Sequence, residues 1–190
     1  MKTNFYGIKP DIVKEIGCIL HEVFEKYPEV EQRLEYVGIP EDGRNYYPAP
    51  NAICHVSGYG TEMVITTKIN DVNEKRDKIS GYTIPGIKAK ILHECGHLID
   101  KCIQQSCYNC AARTENSKNY RKVTTFLYNK YRAEQSSVVS RYAKENQEEF
   151  VAEVYAQMVS VGKDANEYTQ KFATALGKIE SCDFGERFSF

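Results

Sequence analysis

One short stretch of this chain combines residue types and a spacing that could do chemistry unaided. Ile91-Leu-His-Glu-Cys-Gly-His-Leu-Ile-Asp100 contains His93-Glu94-x-x-His97. On an α-helix, residues i and i+4 lie about 40° apart around the axis and about 6 Å apart along it. His93 and His97 can therefore offer imidazole nitrogens to one metal ion. Glu94, on the neighbouring side of that face, can reach a water on the ion without ligating it. Ile91, Leu92, Leu98 and Ile99 supply an apolar back for such a helix. The expected cofactor is a single catalytic zinc ion.

A catalytic zinc takes three protein ligands and keeps one position open. The third must come from another element. Leu98 to Cys110 contains no histidine, so the downstream third histidine of metzincins is excluded. The best source is Glu148 to Val161, where Glu149 and Glu153 stand at i, i+4 among Phe150, Val151, Ala152 and Val154. One of these carboxylates can ligate the metal. The other can accept a hydrogen bond from the far nitrogen of a histidine ligand, orienting its ring. Cys102, Cys107 and Cys110 follow the first helix with spacing C-x4-C-x2-C. A structural zinc would need a fourth ligand, and only Cys95 stands nearby, so free thiols are expected.

Ile91 to Asp100 together with Ser140 to Tyr155 resembles the anthrax lethal factor-like zinc peptidases, a gluzincin family that includes the Pro-Pro endopeptidases. The family pattern is His-Glu-x-x-His-x-x-Asp, then a Tyr seven residues before a Glu in Glu-Phe-x-Ala-Glu. Here these are His93, Glu94, His97 and Asp100, then Tyr142, Glu149, Phe150, Ala152 and Glu153. The resemblance covers roughly the second half of the chain. It implies His93, His97 and Glu149 as zinc ligands, Glu94 as general base and proton shuttle, and Tyr142 as oxyanion donor. It also implies Glu153, and with it Asp100, as partners that stand behind the ligands. The implied fold is α+β: a mainly helical, zincin-like metallopeptidase domain with a small antiparallel hairpin or sheet beside the active-site helix.

The elements that must position these residues are legible in part. Lys9 to Tyr27 has helical apolar spacing at Ile12, Val13, Ile16, Ile19, Leu20, Val23 and Phe24, with Pro10 suited to its first turn. Pro28 interrupts it, and Val30, Leu34 and Val37 predict a shorter helix up to Gly38. Gly38 to Pro50 reads as a loop. Ala52 to Ser57 and Glu62 to Ile69 predict two strands joined by Ser57-Gly-Tyr-Gly60, an antiparallel hairpin whose free edge could hold an extended peptide by strand addition. Asp71 to Ser80 reads as a solvated loop, and Gly81 to Gly86 as a short strand or the entry to the next helix. Helices are then expected over Ile87 to Gln104, Ser117 to Arg132, Glu148 to Val161 and Asp164 to Ile179. His21 reads as a surface or structural histidine, and His55 has no assigned role.

At 190 residues, 27% charged and 42% hydrophobic, the chain reads as one soluble domain spanning residues 1 to 190. A formal net charge of -1 gives no reason to expect nucleic acid or an anionic membrane as partner. The start, Met1-Lys-Thr-Asn-Phe, lacks the apolar run of a signal peptide, and no stretch is long enough to span a membrane. A cytoplasmic protein, or an effector delivered by another route, is expected. Seven cysteines fit reduced thiols better than a disulfide framework. The expected activity is endopeptidase hydrolysis of a peptide or protein substrate. The alternative is a non-catalytic, zinc-stabilised binding or assembly module of a mobile-element or virion protein.

Overall fold

The computed structural model describes residues 1–40, 53–57, 60–72, 78–79, 82–83, 86–106, 111–135 and 138–180. The chain is mainly helical with a small mixed sheet. Strand β1 (Lys2–Asn4) leads into helix α1 (Pro10–Lys26), followed by α2 (Pro28–Arg33), β2 (Tyr36–Gly38), β3 (Cys54–Val56) and β4 (Glu62–Ile65). A two-residue pair, β5 (Lys78–Ile79) and β6 (Tyr82–Thr83), precedes α3 (Gly86–Ser106). Helices α4 (Ala111–Ala133), α5 (Gln147–Val161) and α6 (Glu167–Glu180) complete the described chain.

The sheet order is β1-β2-β4-β3. β1, β2 and β4 run parallel, whereas β3 is antiparallel to β4, with His55 opposite Val64 and Val56 opposite Met63. The side chains of Val37, Met63 and Val56 are buried. The expected hairpin is therefore present, but as the edge of a larger sheet. Among the described residues the outer edge of β3 is unpaired.

Three expectations need correction. The short helix predicted up to Gly38 ends at Arg33, and Tyr36–Gly38 is a strand held between β1 and β4. Gly38 explains the change: its φ is +135°, and a Cβ there would lie 1.9 Å from the Asn4 carbonyl oxygen. Only glycine allows β1 and β2 to approach so closely. The second strand stops at Ile65 rather than Ile69, because the chain turns into a 3-10 segment, Thr67–Asp71, that buries Ile69. The charged stretch predicted as a loop over Asp71 to Ser80 contains β5, which pairs with β6. The predicted loop over Gly38 to Pro50 lies, from residue 41 on, outside the described residues, as do Cys107 and Cys110.

The longer helices form where the apolar period put them, except that α4 begins at Ala111 rather than at Ser117. α1 buries Ile12, Ile16, Ile19, Leu20, Val23 and Phe24 against α3. α3 is buried on most of its circumference, with Ile91, Leu92, Cys95, Leu98, Ile99 and Ile103 all in the core, since α1, α2, α5 and β3 all pack on it. α5 starts at an Asn146 cap, whose Oδ1 accepts the Glu149 N–H at 2.9 Å, and ends at Gly162 with φ +119°. α6 and α4 close the far side of α5. One contiguous apolar core links these groups. No helix among the described residues is long and apolar enough to cross a membrane.

Candidate metal centre

The site lies where α3 and α5 touch. His93, Gly96, His97 and Asp100 recur at i, i+3, i+4 and i+7 of α3. Gly96 sets the distance between the helices. A Cβ at Gly96 would sit 2.7 Å from the Ala152 Cα, 3.1 Å from its carbonyl oxygen and 3.2 Å from the Tyr155 Cβ. With a hydrogen there instead, α5 comes close enough for carboxylates one turn along it to meet both imidazoles.

Glu149 and Glu153 then divide the work. His93 Nε2 is 3.0 Å from Glu149 Oε2 and His97 Nε2 is 3.5 Å from the same oxygen. The two Nε2 atoms are 3.2 Å apart. On the other side of the ring, His93 Nδ1 is 2.9 Å from Glu153 Oε1. A carboxylate accepts, so Nδ1 carries a proton and donates to Glu153, leaving Nε2 as the ring atom that faces Glu149 and His97. All four side chains are mostly buried.

This donor set fits a metal ion. His93, His97 and Glu149 each offer one ligand atom, all within 4.8 Å of one another. Glu149 Oε2 is buried and has no hydrogen-bond partner, although two ring nitrogens approach it. Lone-pair atoms crowded around one point repel unless a proton or a metal cation stands between them. Two nitrogens and one carboxylate oxygen is a set that suits a borderline-soft divalent ion.

The electrostatics agree. Burial disfavours the His93 imidazolium, but the Glu149 and Glu153 carboxylates against its two nitrogens outweigh burial and push the ring up to about 10. Burial likewise disfavours the Glu149 carboxylate, and the facing His93 and His97 overcome it, holding Glu149 well below its ordinary value. The pocket is built for positive charge at its centre.

Glu94 is buried and is not one of the three converging groups. Its charge reaches both His93 and Tyr142. Tyr142 lies on a 3-10 turn, Tyr142–Lys144, just before α5. Its ring centre is 5.8 Å from that of His93. Partial burial, then the neighbouring Glu149 charge, push its phenol up to about 12, which keeps it protonated at neutral pH.

Asp100 is buried one turn beyond His97 and accepts the Gln104 Nε2–H at 2.6 Å. Burial raises its carboxyl, and the hydrogen bond from Gln104 works the other way.

Among the described residues no cysteine joins this group. Cys54 and Cys95 are buried free thiols, and burial raises both well above their ordinary value. Cys102 is a half-buried free thiol pushed up to about 11, again by burial. Protonated thiols are poor ligands. His21 is exposed and 3.6 Å from Glu25, the surface histidine expected, and His55 is exposed on β3. Gly96 was missed in the sequence, where the only hint is its place between the two histidines, facing neither the core nor solvent by pattern.

Comparison of the chain with known protein families, with curated proteins and with solved structures returns no match.

Proposed function

We propose that the chain is a zinc-dependent endopeptidase of gluzincin type, with a zincin-like fold in which α3 is the active-site helix and α5 brings the third ligand. The observation that carries this reading is the convergence of His93 Nε2, His97 Nε2 and Glu149 Oε2, with the far nitrogen of His93 tied to Glu153. His93, His97 and Glu149 would hold the zinc, which would supply Lewis acidity and bring the pKa of bound water to about 7.

The chain's own residues do the rest. Glu94 takes the proton of the attacking water and returns it to the leaving amine, work worth about 10² to 10⁴ in rate. The Tyr142 phenol, kept protonated by its surroundings, donates to the oxygen that gains charge as the carbonyl is attacked. Glu153 holds the His93 ring and its tautomer fixed. β3, packed beside α3 with its outer edge unpaired among the described residues, offers backbone groups to an extended substrate. Metal binding alone needs no Glu94, which favours catalysis over a zinc-stabilised binding module.

The test is cleavage of a diverse peptide library by protein confirmed to hold one zinc, with Glu94→Ala and a chelator as controls. Cuts that vanish in both controls, with zinc retained in Glu94→Ala, are expected. Zinc-loaded protein that cuts nothing would overturn the endopeptidase reading in favour of a binding module.

A further inference from the structure

Tyr142 stands on a turn whose shape is set from outside. The residue is 52% exposed, so apart from its ring contact with His93 and its hydrogen bond with Glu149 the phenol depends on the backbone that carries it. The residues just before and after it, Val139, Ser140 and Ala143, are buried instead. Helix α4 reaches across to them through Tyr131. The Tyr131 hydroxyl donates to the Ser140 carbonyl oxygen at 2.7 Å and accepts the Ser140 N–H at 3.0 Å. One side chain thus satisfies both backbone groups of a single buried residue. Ser140 passes the constraint on: its Oγ accepts the Ala143 N–H at 3.0 Å, inside the turn that carries Tyr142.

Further bonds brace the same segment. Gln157 of α5, fully buried, donates Nε2–H to the Val138 carbonyl at 2.9 Å and accepts the Asn166 amide at 2.6 Å. Glu149, Glu153 and Gln157 thus recur every four residues along α5. Lys144 Nζ donates to the Glu134 carbonyl at 2.5 Å, back on the α4 side.

We infer that Tyr131 is a positioning residue for the reaction: its hydroxyl, acting through Ser140, fixes the turn that places the Tyr142 phenol beside His93. This rests on the endopeptidase reading. The ring and the hydroxyl of Tyr131 have separable roles. The ring packs on Phe150 and Tyr168, with centres 5.6 and 5.1 Å away, and a phenylalanine keeps those contacts. The hydroxyl alone holds Ser140. Without it, a buried N–H and a buried C=O lose their partner, and the turn must shift to find water.

The experiment uses the zinc-loaded full chain and a peptide found in the library. Tyr131→Phe is expected to keep its zinc and its KM while kcat falls about 10- to 100-fold, the scale of a small misplacement of a catalytic group. Adding Tyr131→Phe to Tyr142→Phe is expected to cost nothing more, because the misplaced hydroxyl is already gone. Ser140→Ala, which removes only the Oγ bond to Ala143, should lower kcat in the same direction by less, and it carries the test should Tyr131→Phe not fold.

Amide hydrogen exchange supplies a readout independent of cleavage. Ser140 and Ala143 are expected to exchange at least about tenfold faster in Tyr131→Phe, while amides of α3 and α5 next to the ligands keep their protection. Unchanged exchange at those two amides, or a kcat loss fully additive with Tyr142→Phe, would overturn the assignment. A wild-type protein that cuts nothing defeats the endopeptidase reading and with it Tyr131's part in catalysis. The exchange arm then still decides whether Tyr131 fixes the turn.

Discussion

The two halves of the candidate metal centre are held by different means. On α3, helix geometry puts His93 and His97 on one face, four residues apart, where their Nε2 atoms come within 3.2 Å of each other. On the other side, Glu149, Glu153 and Tyr142 reach the site only through tertiary packing. Their positions depend on the close approach at Gly96, the Asn146 cap and the bonds that brace residues 138–145. A local half gives metal-binding potential. The packed half adds the carboxylate that completes a group able to hold a metal ion.

If this comparison is right, the sharpest loss comes from removing the only ligand that the packed half contributes. Glu149→Ala leaves two imidazoles and no carboxylate between them. Zinc affinity is expected to fall by more than the roughly 10- to 100-fold typical of losing a group behind a ligand, and cleavage should go with it. Competition with a chromogenic chelator measures this. Undiminished affinity would hand the third-ligand role to Glu153.

Next comes Tyr142→Phe, which removes a donor from the packed half without touching a ligand. Turnover is expected to drop by about 10² to 10³ with zinc content unchanged, the usual cost of a lost oxyanion donor. The phenol is raised above its ordinary value by partial burial and by Glu149. It therefore stays a donor across the neutral range, and this variant's loss should not vary between pH 6 and pH 9. Turnover equal to wild type would reject the role.

Glu153→Ala probes the bond that links the two halves directly. It frees the His93 Nδ1 proton and lets the ring turn. Zinc affinity is expected to fall by about 10- to 100-fold, with some cleavage surviving at saturating zinc. Affinity within about twofold of wild type would mean that packing, rather than Glu153, fixes the ring.

The same division explains what could be read from the sequence. The helices α1, α3, α5 and α6 announce themselves through a 3.6-residue apolar period, as at Ile12-Ile16-Ile19-Val23, and α3 through its histidine spacing. β1 and β2 do not. They are three residues long, too short for a period of two to show, and their parallel pairing joins residues more than thirty apart, as Lys2 with Tyr36. Val37 fitted a helical pattern equally well until Gly38 and its neighbours were placed. The carboxylate pair on α5 was visible as i, i+4. Its division of labour followed from the resemblance, and the spacing alone left it open. Tyr131 was invisible as one of fourteen tyrosines, because a hydroxyl that satisfies a distant backbone leaves no local pattern.

The smallest change tests the contact on which the packed half depends. Gly96→Ala adds one methyl group to α3 at a point 2.7 Å from the Ala152 Cα. Backbone cannot give way as a flexible side chain can, so α5 must move outward. Against this stands the better helix propensity of alanine, up to about 1 kcal/mol. Overpacking of this kind costs about 1 to 3 kcal/mol, so the balance is a modest loss of stability. The consequence at the site is more specific. Ala152 lies three residues after Glu149 and one before Glu153, so an outward shift of α5 there withdraws both carboxylates while His93 and His97 stay put. Metal-free protein should melt a few degrees lower, and zinc should bind more weakly although every ligand is present. A higher melting temperature with unchanged zinc affinity would show that the two helices can part without disturbing the site. The contrast between a local and a packed half would then fail.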